Sequence, residues 1–211
     1  MLIRFHFVVF AVLLSACASL EQNARFSDHG LESWQAKVFN KSTDYRLLNY
    51  GDGKVVQANS KQSASTLYRR LPIDLSQTPY INWSWKVDKT LGELDEQMKV
   101  GDDYPARVYV ILSTSLFVPS PRALCYVWAS NTPAGGAWPS PYSKDVIIIN
   151  LRSGNRQAGR WQSEKRNVAE DIRRHFGENT NYIEGIAIMT DTDDSQSAVT
   201  AYYGDIYFSR E

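Results

Sequence analysis

Cysteine and histidine are scarce, 2 and 3 among 211 residues. Two cysteines exclude a disulfide framework, and no CxxC or HExxH spacing occurs, so no transition-metal signature is present. There is no GxSxG nucleophile elbow and no glycine-rich phosphate loop. A Ser/His/Asp triad would therefore have to be assembled through the fold, without a local signature. Neither sign of charge dominates: Lys+Arg and Asp+Glu are 23 each, which excludes a basic nucleic-acid surface and an acidic solvating tail. What is plentiful is aromatic. With 12 Tyr and 6 Trp, and 43% hydrophobic against 22% charged residues, the chain reads as globular and leans towards an all-β domain or a binding surface. Its length fits one ordinary domain, or at most two small ones, with a core that needs no cross-links.

The first sixteen residues read as an address. Arg4 gives a positive start and Phe5 to Leu14 is apolar except for His6, a run too short for the roughly twenty residues of a bilayer span. Leu14-Ser15-Ala16-Cys17 resembles the lipobox of bacterial lipoproteins, in which the cysteine is acylated and becomes the new N-terminus. An ordinary signal cut after the same small residues is the alternative. By that resemblance, Ala18 after the cysteine favours the outer membrane, facing the periplasm. The organisation is then 1–16 signal peptide, 17–25 lipidated tether, and 26–211 the folded domain. If Cys17 carries lipid, Cys125 has no partner for a disulfide, and its apolar surroundings make it a buried thiol rather than a nucleophile.

Alternation is the dominant period behind the tether. Ile81, Trp83, Trp85 and Val87 alternate with polar residues, which puts both tryptophans inward. Ala106, Val108, Val110 and Leu112 form a second apolar face with Arg107 and Tyr109 on the other side. Gly51-Asp52-Gly53 between two strand-like runs marks a hairpin. With the runs at 34–39, 63–70, 123–128, 146–149, 183–189 and 199–208, about ten strands are expected, forming one jelly-roll-like β-sandwich. One short helix interrupts them near residues 168–176. Asn167 can cap it, Val168, Ile172 and Phe176 form its stripe, and Gly177 can stop it.

Two long connections stand out. Residues 88–105 carry Glu93, Asp95, Glu96, Asp102 and Asp103, and residues 129–145 carry Trp138, Tyr142, three prolines and two glycines. Connections of this length in a compact domain usually serve function or stay disordered, and the second is too aromatic for simple disorder. In Gly101-Asp102-Asp103-Tyr104-Pro105-Ala106-Arg107, a stiff strand start sets two carboxylates near a guanidinium. This is either a structural ion pair or a site reading hydroxyls. Asp191-Thr192-Asp193-Asp194-Ser195 places oxygens at positions one, three and five of a calcium-like loop, with Asp191, Asp193 and Asp194 as the candidate ligands. Gln196 at position six and Tyr202 at twelve exclude an EF-hand, leaving a polar turn or another calcium geometry shared with a second loop.

Taken together, WSWKVD (83–88), GDDYPARVYV (101–110), RALCYVW (122–128), WPSPYS (138–143), RSG (152–154), RNVAEDIRRHFG (166–177), IAIMTDTDDS (186–195) and YGDIYF (203–208) resemble the bacterial domain-of-unknown-function family 3047 across roughly residues 26–208. The resemblance implies an envelope or secreted β-domain and carries over no catalytic residue. The chain departs from the family's pattern at Cys125, where Asn is expected, and around Asp194 and Gln196, where Asn and Gly are expected. The first departure supports a packing role for Cys125, and the second weakens a fixed metal loop. The closing run 203–208 also resembles the last strand of galactose-binding-like jelly rolls, some of which carry structural calcium.

The expectation from these features is a lipid-anchored domain that binds a polar ligand such as a saccharide, without catalysis. Asp102, Asp103 and Arg107 are expected to read hydroxyls, and Trp138 and Tyr142 to stack on sugar rings. No cofactor and no nucleic acid are expected, structural calcium aside. The alternatives are a carboxylate-dependent glycan hydrolase and an envelope assembly protein, for which the 138–142 aromatics would anchor a protein partner.

Overall fold

The computed structural model describes residues 23–113 and 122–211. Cys17 and the expected signal and anchor lie outside the described residues. In chain order the elements are β1 (Asn23–Ala24), α1 (Phe26–His29), β2 (Gln35–Asn40), β3 (Asp44–Tyr50), β4 (Gly53–Lys61), β5 (Ala64–Asp74), β6 (Tyr80–Val87) and β7 (Ala106–Ser113). They continue with β8 (Arg122–Ala129), β9 (Ala137–Ser140), β10 (Ser143–Ser153), β11 (Gln162–Asn167), α2 (Val168–Phe176), β12 (Tyr182–Met189), β13 (Ala198–Tyr203) and β14 (Ile206–Ser209). Among the described residues two seven-stranded sheets form an all-β, jelly-roll-like sandwich, with one α-helix longer than four residues. The strands beyond the expected ten are short or polar. β1 begins inside the stretch assigned to the tether, β9 lies in the second long connection, β11 is polar, and the run 199–208 breaks at Gly204 into β13 and β14.

One sheet runs β1-β14-β6-β13-β4-β3, with β11 also paired to β6, and the other runs β2-β5-β12-β7-β8-β10-β9. Each strand's alternation decides what lies between them. Ile81, Trp83, Trp85 and Val87 of β6 are all buried, facing Tyr126 and Trp128 of β8. Ring centroids stand 5.3 Å apart for Trp83–Tyr126 and 6.1 Å for Trp85–Trp128, so an aromatic layer fills the space between the sheets. The hairpin forms at Gly51-Asp52, with Tyr50 opposite Gly53 and Gly51 at φ +55°. On α2, the Asn167 side chain accepts from the Glu170 backbone N–H at 3.1 Å, and Gly177 adopts the left-handed cap. Its buried Asp171 takes hydrogen bonds from the Tyr126 hydroxyl at 2.8 Å and Arg166 Nε at 3.0 Å, fastening the helix to the sheet. Among the described residues no helix is long and apolar enough to cross a membrane.

The second long connection has a topological cause. β8 and β10 are parallel neighbours, so the chain must travel back before it can pair, and β9 forms on that return as the outermost strand. Proline at 139 fits an edge strand, where a missing N–H costs no ladder bond.

Candidate functional site

The outer face of the second sheet carries a cleft of about 700 Å³. Strand register builds its floor. Tyr68 of β5 lies opposite Ala187 of β12, and Ala187 lies opposite Tyr109 of β7. A small residue between two tyrosines leaves a trough, widened by Ala123 on β8. Phe39 stands on the β2 side and Tyr142 at the other rim.

One end of the cleft is acidic. The next residue of β7 on this face is Arg107, only 4% exposed, paired in register with Met189 at the end of β12. The chain leaves β12 directly into Asp191, which brings that carboxylate onto the guanidinium. Arg107 Nε donates to Asp191 Oδ1 at 2.9 Å and a terminal nitrogen donates to Asp191 Oδ2. The remaining donors go to Asp102 Oδ1 and the Tyr109 hydroxyl, each at 3.4 Å, and to the Asp102 carbonyl oxygen. The guanidinium also lies over the Tyr104 ring, 4.3 Å from its centroid. All five N–H donors of Arg107 therefore have partners inside the protein.

This corrects the expectation for Arg107: it has no donor free for a ligand hydroxyl and instead holds two loops together. Asp102 and Arg107 both line the cleft. For Asp102 the setting is that of a buried acid. Burial raises its carboxyl to about 6, against the pull of Arg107 and with help from Asp194 and Asp103. Burial likewise pushes Asp191 up, and the Arg107 guanidinium opposes the rise. Gly101 makes the approach possible, because a Cβ there would run into the Asp95 backbone carbonyl. Asp103 is fully buried and is not among the cleft-lining residues; it accepts from the Ser195 backbone N–H instead.

The two aromatic expectations separate. Tyr142 is 57% exposed at the cleft rim, its hydroxyl donating to Asp194 Oδ2 at 2.8 Å, with Lys99 Nζ 5.2 Å from its ring centroid. Trp138 is only 9% exposed and is packed with Tyr104, Cys125, Val127 and Ile148. The stacking role expected of Trp138 is thus corrected to a packing role, because β9 lays its ring on the sheet. Cys125 lies in the same cluster, fully buried, and burial pushes its thiol up to about 12. The residues sequence reasoning missed are Tyr68, Tyr109 and Ala187. Tyr109 was readable as an outward position of β7, but the trough depends on the pairing of three strands.

A buried carboxylate also joins the two long connections. Glu96 accepts from the backbone N–H groups of Ser130 and Thr132, the latter at 2.9 Å, so the acidic loop fixes the start of the aromatic one. As for metal, carboxylate oxygens of Asp103, Asp191 and Asp193 lie within 4.8 Å of one another. Of the calcium candidates expected from sequence, Asp191 and Asp193 fall in this oxygen-only group, which suits a hard cation, and Asp194 accepts from the Tyr142 hydroxyl instead.

Fold and site together define a jelly-roll-like β-sandwich with an open-faced cleft. The chain belongs to the family described as a protein of unknown function, DUF3047, whose model matches residues 32–207. No curated protein matches the chain. Among solved structures it is similar to the enzymatically active domain of tailspike protein 4 from bacteriophage CBA120, at 7% identity and TM-score 0.43, over 88% of this chain. It spans only 20% of that tailspike chain. A thermostable cellulase derived from Cel12A of Rhodothermus marinus is similar at 8% identity and TM-score 0.48, over 88% of this chain and 94% of that one. A structure of carbohydrate-binding modules from the β-sandwich superfamily is similar at 12% identity and TM-score 0.41, over 87% of this chain and 60% of that one. At such identities the likeness is one of architecture alone.

Proposed function

We propose that the protein is a lipid-anchored, non-catalytic binding domain that holds a saccharide in the cleft on its second sheet. The observation that carries this reading is the pairing of surfaces within one cleft: tyrosines flanking a small floor, and carboxylates at one end. A sugar ring has the same division, an apolar face suited to tyrosine rings and a hydroxyl edge suited to carboxylate acceptors. The volume lies within the usual range for small-molecule sites. Asp102 and Asp194 take the hydroxyls, Tyr142 and Tyr109 supply ring contacts, and Arg107 keeps Asp102 and Asp191 in place. The lipobox-like residues support an anchor on Cys17 and a location at the outer membrane facing the periplasm.

A second reading, glycan hydrolysis, draws on Asp102. A cleft carboxyl raised to about 6 has the proton affinity of a general acid. Hydrolysis also needs a second carboxylate free to act as nucleophile or base. Asp191 is clamped by Arg107, Asp193 accepts from Asn40 Nδ2 at 3.3 Å and Asp194 is bonded to Tyr142, which favours binding without cleavage.

A glycan array of envelope saccharides, followed by a reducing-end assay on every hit, separates the readings. Binding without release of reducing ends supports the domain proposed here. Release that stops in Asp102→Asn while binding persists replaces it with the hydrolase. Absence of binding to any glycan overturns both and points to the assembly reading, with a protein partner.

A further inference from the structure

Asp103, Asp191 and Asp193 reach the same spot from two separate segments, the approach to β7 and the turn after β12. Arg107 bonds both oxygens of Asp191, and Asn40 Nδ2 donates to Asp193 Oδ2 at 3.3 Å, but one carboxylate oxygen of the cluster is left over. Asp103 is 0% exposed and its Oδ2 accepts from the Ser195 N–H, but its Oδ1 is buried with no hydrogen-bond partner. The Ser195 Oγ, in the same turn, is a second buried oxygen without a partner. Buried polar atoms are normally satisfied, and a bare carboxylate oxygen is among the costliest exceptions. Charge points the same way. Asp102, Asp103, Asp191, Asp193 and Asp194 gather around Arg107, the one cationic side chain bonded to them among the described residues.

We infer that Asp103, Asp191 and Asp193 form a calcium site, with the Ser195 hydroxyl as an additional oxygen. The donor set is oxygen only, which selects a hard cation over zinc or copper. Carboxylate oxygens within 4.8 Å of one another are close enough to share one ion. Calcium accepts the irregular, oxygen-rich shell that two loop segments supply, whereas magnesium demands a near-ideal octahedron. Bound calcium joins the two segments and fixes the turn that carries Asp194, and through it the Tyr142 hydroxyl at the cleft rim. The inference does not depend on the saccharide reading, since it rests on carboxylates at the acidic end of the cleft to which that reading assigns no sugar hydroxyl.

The test is calorimetric titration of the chelator-treated, dialysed full chain with calcium chloride and, separately, magnesium chloride, together with melting curves. The expected result is one calcium per chain, with a dissociation constant below about 1 mM and a raised melting temperature. Asp193 is partly exposed, so Asp193→Asn keeps the fold while weakening calcium binding at least tenfold. Asp103→Asn, where it folds, does the same. No heat and no melting shift at about 10 mM calcium, beyond the range of weak calcium modules, would overturn the inference. So would wild-type calcium binding by Asp193→Asn, or magnesium binding as tightly as calcium.

Discussion

Arg107 and Asp191 meet through two parallel donor–acceptor contacts although 84 residues separate them in sequence, with Nε to Oδ1 at 2.9 Å. Both are only about 4% exposed, so water screens neither charge. The pair closes because β7 and β12 are antiparallel neighbours whose register ends at Met189 opposite Arg107. It holds the acidic end of the cleft in shape.

Removing one partner of a buried ion pair strands the other. Arg107→Leu is therefore expected to cost about 3–5 kcal/mol, read as a lowered midpoint in urea. The double variant Arg107→Leu/Asp191→Asn is expected to recover part of that loss, because no uncompensated charge remains at position 191. A double variant as unstable as the sum of its singles would show that the pair is not coupled.

Trp83 and Trp85 fill the space between the sheets, so alanine at either is expected to cost about 3–5 kcal/mol. Trp138 is also buried, between β9 and the sheet, so Trp138→Ala belongs near the lower end of the same range. Chemical denaturation distinguishes this from a surface platform, for which the substitution would leave the midpoint unchanged.

In a Cys17→Ser variant, Cys125 is the one remaining thiol. Its pKa is pushed up to about 12 by burial, so at pH 8 the native thiol stays protonated as well as shielded. A thiol reagent is expected to leave native protein unlabelled and to label one site per chain after denaturant is added. Labelling of the native state at the rate of a free thiol would contradict the packing role.

The anchor is tested by metabolic labelling. Palmitate is expected to enter the wild-type protein and not Cys17→Ser, and the variant is expected in the soluble fraction. A wild type that takes up no label would replace the lipoprotein signal with an ordinary cleaved one.

The parts legible in sequence are those where a strand or helix records its own surroundings. β6 alternates because one face is buried, Arg107 interrupts an otherwise apolar strand on the opposite face, and Asn167 with Gly177 brackets α2. β11 was missed because its burial pattern is only partial and its residues are polar. β9 was missed because Pro139 within it and Pro141 just after it mask the run that lays Trp138 on the sheet. The two contacts of Arg107 with Asp191 and the Tyr68–Ala187–Tyr109 row exist only through pairing of strands far apart in sequence. Local pattern carries no record of which tyrosine will flank which alanine. The acidic motif was visible, but only the register shows its guanidinium already spent on the protein's own oxygens.

The central claim is that the trough over Ala187 is where a saccharide binds. The direct measurement is calorimetric affinity of a bound glycan for wild type and for Ala187→Leu, with melting curves as a control for folding. The larger side chain occupies the space between Tyr68 and Tyr109, so at least a tenfold loss of affinity, about 1.4 kcal/mol, is expected with the fold retained. A folded Ala187→Leu protein that binds the glycan as tightly as wild type would place the ligand elsewhere and contradict the account.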